Sequence, residues 1–257
     1  MFQSIKSRIA PTPSGYLHVG NAYNFLVTYR EAVIKRGGEL ILRIDDSDKD
    51  RSKDEYIEDI FESLEWLGIK VNDGPKNLKD FKQNFSQGLK HKEYLEFLKR
   101  IPDLYNCSCS RSFLKENSCP CAQSKKPFEK GKTAIKMDSP HGSFILWRKE
   151  DLPSYHLTSL YDDIEMNINF IVRGEDLVQT SKEQFFMAER IKDKIFTKAV
   201  FLHHPLIQDQ EGKKISKSAG TGIPSSESLI SFRRQGKTTH DLLKRLGFES
   251  MEDFLLK

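Results

Sequence analysis

Apolar residues run along this chain in two rhythms. Ile5 and Ile9, with Ser7 and Arg8 between them, predict a short first strand, and Glu39-Leu40-Ile41-Leu42-Arg43-Ile44 is the near-continuous apolar run of a buried parallel strand. Between them Val19, Tyr23, Leu26 (or Val27) and Tyr29-Arg30 recur every three or four residues, which predicts a helix from about Val19. Lys35-Arg36-Gly37-Gly38 ends it with a C-cap signal. Residues 52–67 predict an amphipathic helix with Ile57, Ile60, Phe61, Leu64 and Leu67 on one face, and Asp48 or Ser52 as its cap. Further along come a helical segment near 88–99 and strand-like runs at Thr133–Met137, Ser143–Trp147 and Ile168–Val172. A helix over about 181–192, a short strand at Val200–Leu202 and mostly helical residues 225–256 complete the pattern.

Two junctions interrupt it with chemistry. After the first strand, Pro11, Pro13 and Gly15 stop regular structure, so strand, loop and helix N-terminus follow one another with His18 at the helix start. Free amides and the helix dipole make such a place suited to an anion, and an imidazole there can reach a phosphate oxygen. After the second strand, Asp45-Asp46-Ser47-Asp48 puts carboxylates at a strand's C-terminal end, where open α/β sheets bind ligands and an acid can hold an ammonium or a ribose. Either junction alone is as readily plain architecture.

The chain has 257 residues, enough for one large domain with an inserted module. No apolar run approaches the roughly 18 residues of a membrane span, and no signal-peptide pattern opens the sequence, so a soluble cytoplasmic protein, expected to be a monomer, is the reading. The net charge of +4 is uneven: residues 76–136 hold 14 Lys+Arg against 6 Asp+Glu. A basic module in an otherwise near-neutral chain suits a phosphate backbone, although a solvated lysine-rich surface has the same composition. All four cysteines, Cys107, Cys109, Cys119 and Cys121, lie in that module. In a cytosolic chain two Cys-x-Cys pairs read as four thiolates for a tetrahedral Zn²⁺ rather than as disulfides.

About two hundred residues after His18 comes Lys213-Lys214-Ile215-Ser216-Lys217-Ser218. His18-Val19-Gly20-Asn21 and Lys214 to Ser218 resemble the paired "HIGH" and "KMSKS" signatures of class I aminoacyl-tRNA synthetases. With Leu42 to Asp48, Tyr155 to Asp163 and Val172 to Leu177 in the same order, the chain resembles the glutamyl-tRNA synthetase group from about residue 7 to 220. The short stretch after the lysine motif leaves no room for the group's anticodon-binding domain, and with the cysteines this makes the chain most similar to the glutamyl-Q tRNA(Asp) synthetase branch. The resemblance implies ATP-dependent activation of glutamate and its transfer to the queuosine base in the anticodon loop of tRNA(Asp), with ATP, Mg²⁺ and Zn²⁺ as cofactors. It makes His18, Lys214 and Lys217 catalytic. ATP would be held by Pro11, Ser14, Gly15, His18, Gly20, Asn21 and Lys217, and glutamate by Arg8, Thr12, Asp45, Tyr155, Ser159 and Arg173. Arg8 would pair with the side-chain carboxylate, Thr12 and Asp45 with the α-ammonium.

The expected fold is a Rossmann-like parallel α/β domain made of residues 1–71 and 137–224, a basic zinc-bearing insertion at 72–136, and a helical tail at 225–257. Three positions depart from the group's pattern: Asp45 stands where it has glutamate, Thr12 where it has serine, and Ser159 where it has asparagine. The branch has Cys-x-Cys followed by Tyr-x-x-x-Cys; Lys115 occupies the tyrosine's place before Cys119, so Cys121 is an alternative fourth ligand. Two other readings stand beside the first: adenylation with another amino acid or another acceptor (a different tRNA site, a carrier protein, a small molecule), and a non-catalytic tRNA-binding paralogue.

Overall fold

The computed structural model describes residues 4–110, 112–124, 126–208 and 224–256. In chain order the elements are β1 (Lys6–Ile9), α1 (Val19–Thr28), β2 (Glu39–Leu42), α2 (Asp54–Trp66), α3 (His91–Lys99), β3 (Leu104–Cys107), β4 (Ala134–Ser139) and β5 (Gly142–Trp147). They continue with α4 (Tyr155–Glu165), β6 (Phe170–Gly174), α5 (Val178–Arg190), β7 (Val200–His204), α6 (Leu229–Arg234), α7 (Thr239–Arg245) and α8 (Met251–Leu256). No described helix is long and apolar enough to cross a membrane. The chain divides into two compact units: Met1–Ser86 with Ile168–Asp176 and Ala199–Lys257, and Gln87–Asn167 with Leu177–Lys198.

The first unit is built on parallel strands. β1 pairs with β2 from Lys6↔Glu39 to Ile9↔Leu42, and β6 pairs with β7 from Phe170↔Val200 to Gly174↔His204. Asn169 joins the two pairs: its amide donates to the Lys6 carbonyl at 3.0 Å and its side-chain oxygen accepts the Lys6 amide at 2.9 Å. The apolar run 40–44 is buried throughout as its composition demands, and Ile9, Leu17, Val19, Leu42, Ile60 and Phe170 share one core. Leu229, Phe232, Leu242, Leu243 and Phe254, all from residues 225–256, belong to that same core. At roughly 1.5–3 kcal/mol for each large apolar side chain buried, this stretch is integral to the unit.

α2 runs close to its expected span, but neither Asp48 nor Ser52 caps it. Lys53 holds the N-cap position, and Asp54 and Glu55 in the first turn supply the negative charge that the helix dipole favours. α1 passes into a π-helical turn at Tyr29–Ile34, where Glu31 accepts from Arg30, Lys35 and Arg36.

The second unit carries an antiparallel sheet, β3–β4–β5, with Leu104 opposite Met137 and Cys107 opposite Ala134. β4 runs across the boundary read at 136/137, because it pairs on one side with β3 and on the other with β5. α3 and α4 are tied by the fully buried Asp162, whose carboxylate accepts from Gln87 Nε2 (2.8 Å), Lys90 Nζ (2.9 Å) and Tyr94 OH (3.0 Å). A buried charge persists only when it is paired and hydrogen-bonded in this way.

Candidate active site and cysteine centre

At the C-terminal ends of the parallel strands the loops carry the residues that the motifs single out. The ladder of β1 and β2 continues past both strands: Arg43 donates its amide to Ile9 O, and Asp45 its amide to Pro11 O, each at 2.9 Å. This sets the Pro11–Gly15 turn beside the acidic loop. Arg8, on β1, is buried and its Nη1 donates to Val172 O on β6 at 3.4 Å. Arg173, one residue on, is equally buried, with its guanidinium 5.8 Å from the Phe201 ring centre. Three buried arginines, Arg8, Arg43 and Arg173, thus stand at adjoining strand ends with buried Asp45 and Asp46. Arg43 grips Asp45 with two nitrogens, Nε at 2.6 Å from Oδ1 and Nη2 at 3.2 Å from Oδ2. Ser86 Oγ donates to Asp46 at 2.6 Å. Thr12 is exposed on the turn.

His18 is the N-cap of α1. Its backbone is extended, its Nδ1 accepts the Gly20 amide at 3.1 Å, and the Asn21 side chain accepts the His18 amide at 3.1 Å. An imidazole that accepts at Nδ1 carries its proton on Nε2. Asn21, expected against ATP, turns its side-chain oxygen back onto the cap. Gly20 is fixed by the same geometry: a Cβ there would lie 3.0 Å from His18 Cε1.

The turn before His18 is held by a residue that the hydropathy pattern conceals. Asp59 lies on α2 among Ile57, Ile60 and Leu64, yet it is 2% exposed and its Oδ2 accepts the Leu17 amide at 2.9 Å. Arg233 of α6 donates to Asp59 Oδ1 at 2.7 Å, to Ser63 Oγ at 2.7 Å and to Glu62 at 2.9 Å. Burial raises the Asp59 carboxyl above the ordinary aspartate value, against the lowering effect of Leu17 and Arg233. The one sequence signal is the polar stripe Glu55, Asp59, Glu62, Ser63 beside the apolar face. The second unforeseen contact is a bridge between His18 and Ser228, in which Val19 donates to Glu227 O at 3.0 Å and Leu229 to Leu17 O at 2.8 Å.

β7 ends on His204, whose Nδ1 donates to Pro205 O at 2.8 Å and whose Nε2 accepts from Asn24 of α1 at 2.9 Å. Burial lowers its pKa, more than the Pro205 carbonyl raises it, so the ring is neutral at pH 7. Lys214 and Lys217 lie outside the described residues. Tyr155 and Ser159 belong to the second unit, where Tyr155 opens α4 and Ser159 is fully buried one turn later.

In that unit β3 ends on Cys107, and the four cysteines converge. Cys107 and Cys119 approach at 3.5 Å between sulfurs, Cys109 and Cys121 at 3.6 Å, Cys109 and Cys119 at 3.9 Å, and all four sulfurs lie within 4.8 Å of one another. A tetrahedron with metal–sulfur bonds of about 2.3 Å has edges of about 3.8 Å, so the donor set fits a tetrahedral cation. Burial and the neighbouring thiols push Cys109 up to about 12. Burial also pushes Cys121 up, but the Ser108 amide and the other thiols outweigh it and hold it at about 7. Four thiols at this spacing ionise together only with a cation among them.

Residues 4–125 and 118–255 match the family described as tRNA synthetases class I (E and Q), catalytic domain. The chain belongs to that family. Among its relatives, the glutamyl-Q tRNA(Asp) synthetase of Prochlorococcus marinus (strain MIT 9303) is 30% identical over 246 residues, which cover 88% of this chain and 77% of that protein. Glutamate–tRNA ligase 1 of Alkalilimnicola ehrlichii is 28% identical over 285 residues, which cover 95% of this chain and 57% of the relative. The chain therefore spans little more than half of such a ligase. The crystal structure of the glutamate–tRNA synthetase of Elizabethkingia anophelis has the same fold, with a TM-score of 0.65 at 24% identity over 86% of this chain and 55% of that one. A class I catalytic fold with a parallel sheet and a four-cysteine cluster is what the family and the geometry together establish.

Proposed function

We propose that the protein activates glutamate with ATP and transfers it to the queuosine base in the anticodon loop of tRNA(Asp). The observation that carries this reading is the His18 turn at the N-terminus of α1, set beside buried arginines and aspartates at adjoining strand ends in a class I (E and Q) chain. In the first step an oxygen of the glutamate α-carboxylate bonds to the α-phosphorus of Mg²⁺-bound ATP. The bond from that phosphorus to the bridging oxygen breaks, and the pair leaves with pyrophosphate. Little covalent work falls to the protein; positioning and charge stabilisation dominate. His18 Nε2–H and the first amides of α1 donate to phosphate oxygens, with Gly15 and Gly20 letting the backbone approach. Lys214 and Lys217, by motif position, supply positive charge to the leaving pyrophosphate. Arg8 pairs with the substrate's side-chain carboxylate in the two-pronged geometry arginine favours, and Arg173 completes that end. The second step moves the glutamyl carbon from phosphate to a hydroxyl of the acceptor, releasing AMP. Cys107, Cys109, Cys119 and Cys121 hold a structural Zn²⁺, which ties the end of β3 to residues 119–121.

A second reading, another amino acid, rests on Asp45. Its carboxylate is one methylene shorter than the group's usual glutamate and is gripped by Arg43, so it reaches an ammonium through water more readily than directly. ATP–pyrophosphate exchange with each of the twenty amino acids, without tRNA, decides between them. Transfer of the activated one to tRNA with and without queuosine then follows. Exchange with glutamate and queuosine-dependent transfer is the expected result. Exchange with another amino acid selects the second reading, and no exchange with retained tRNA binding means a non-catalytic paralogue.

A further inference from the structure

The lysine motif sits in a segment whose two ends meet on one guanidinium. On the entering side, Arg245 Nη2 donates to the carbonyl of Gln208 at 3.1 Å. On the leaving side, Arg245 Nε lies 3.1 Å from both carboxylate oxygens of Glu227. Glu227 is in turn fixed to the His18 turn, since its carbonyl accepts the Val19 amide at 3.0 Å and Leu229 donates to Leu17 O at 2.8 Å. Arg245 is the last residue of α7, whose Leu242 and Leu243 are buried in the core of the same unit, so the guanidinium projects from a rigid support.

We infer that Arg245 is a positioning residue for adenylate formation: it sets both ends of the lysine-bearing segment against the N-terminus of α1. This rests on the function proposed above. Lysine at this place cannot reproduce the tie, because a single ammonium lacks the planar fork that serves a carboxylate and a carbonyl at once. Leu17, Val19, Gln208 and Glu227 contribute backbone or charge to the tie, and Arg245 hydrogen-bonds to both ends. The tie holds Gln208 and Glu227, which flank the lysine motif in the sequence, in a fixed relation to the His18 turn, and misplacement of about 1 Å at a reacting centre costs on the order of 100-fold in rate.

The test uses the full chain with Arg245→Met, Arg245→Lys and Glu227→Gln. Two readouts are taken: glutamate-dependent ATP–pyrophosphate exchange, and the rate of trypsin cleavage between residues 208 and 227, followed by mass spectrometry of the peptides. Expected are a fall in kcat of at least about tenfold with an unchanged KM for glutamate, faster cleavage in that window, and no rescue by lysine. Unchanged kcat and unchanged cleavage in a folded Arg245→Met chain overturn the inference. So does an equal loss of kcat and rise of KM that tracks a lowered unfolding midpoint, which marks general destabilisation. If Arg245→Met fails to fold, Glu227→Gln, which keeps shape and removes charge, carries the same two readouts. If the wild-type chain exchanges with no amino acid, the proposed function fails while the cleavage rates still decide the tie.

Discussion

The ring of His18 is committed at Nδ1 to the Gly20 amide. With Nδ1 accepting there, the ring proton sits on Nε2, and a Cβ at residue 20 would lie 3.0 Å from Cε1, so the ring would have to give by a few tenths of an ångström. His18→Ala is expected to lower the kcat of pyrophosphate exchange by about 100-fold or more with little change in the KM for glutamate, as loss of a preorganised donor does. Gly20→Ala, which leaves the imidazole in place but crowds Cε1, is expected to cost about tenfold in the same assay. Equal kcat for Gly20→Ala and wild type would remove the steric argument. Asp59 and Arg233 support this turn from below. Arg233→Ala leaves a buried carboxylate without its cation and should lower stability by about 3 kcal/mol in urea unfolding. A loss below about 1 kcal/mol would mean that water replaces the guanidinium.

At the scale of elements, two features make quantitative expectations. Burial pushes the Glu31 carboxyl up, but hydrogen bonds from Arg36, Lys35 and Arg30 outweigh it and hold the group at about 2, against an ordinary 4.5. A carboxyl depressed in the folded state stabilises the fold above its unfolded value and loses that contribution as pH falls from about 4.5 to 2. With Lys35 and Arg36 partly screened by solvent, the term is worth about 2 kcal/mol. The midpoint of thermal unfolding of Glu31→Gln should therefore lie below that of the wild type at pH 6 and converge with it towards pH 2. The cysteine centre makes the second expectation. The purified chain should carry one zinc, Cys107→Ser or Cys121→Ser should lose it, and a strong chelator should loosen residues 107–121 to amide exchange. Full protection of that stretch in metal-free protein would mean that the cysteines pack without a cation.

Elements with a strong period were readable beforehand. β1, α1, β2 and α2 fall within a few residues of their expected spans, because one buried face or a wholly apolar run leaves little choice. β3 escaped notice, since Leu104-Tyr105-Asn106-Cys107 is short and mixed, and its partner β4 lies far along the chain. α4 is hidden for a related reason: Thr158, Ser159, Asp162 and Asp163 are buried beside Leu157 and Leu160, so its inner face mixes polar and apolar residues and shows no clean apolar period. In the site, residues that announce themselves by motif, such as Arg8, His18, Asp45 and Arg173, were found at strand ends or a helix start. Asp59, Arg233, Glu227 and Arg245 were not, because their roles depend on long-range hydrogen bonds that leave no local spacing.

For the whole molecule, the basic stretch 76–136 bears on the acceptor. Binding of tRNA should weaken steeply with salt, as counterion release requires, and reversing charge at Lys126 and Lys130 together should lower the slope of log K against log salt by about 2 to 4. Salt-insensitive binding would separate that charge from RNA recognition. The way the two units share the chain also bears on biogenesis. Strand β1 is made well before its neighbour β6 and the helices that complete its core, which follow only after most of the second unit, one continuous run, Gln87–Asn167. Long-range pairing is slow to form and leaves strand edges open while it waits. During translation the cysteine-bearing unit is thus positioned to organise early, and the edge of β1 that Asn169 will cover stays open until residues 168–176 have been made, which makes that edge the place where a chaperone would first take hold.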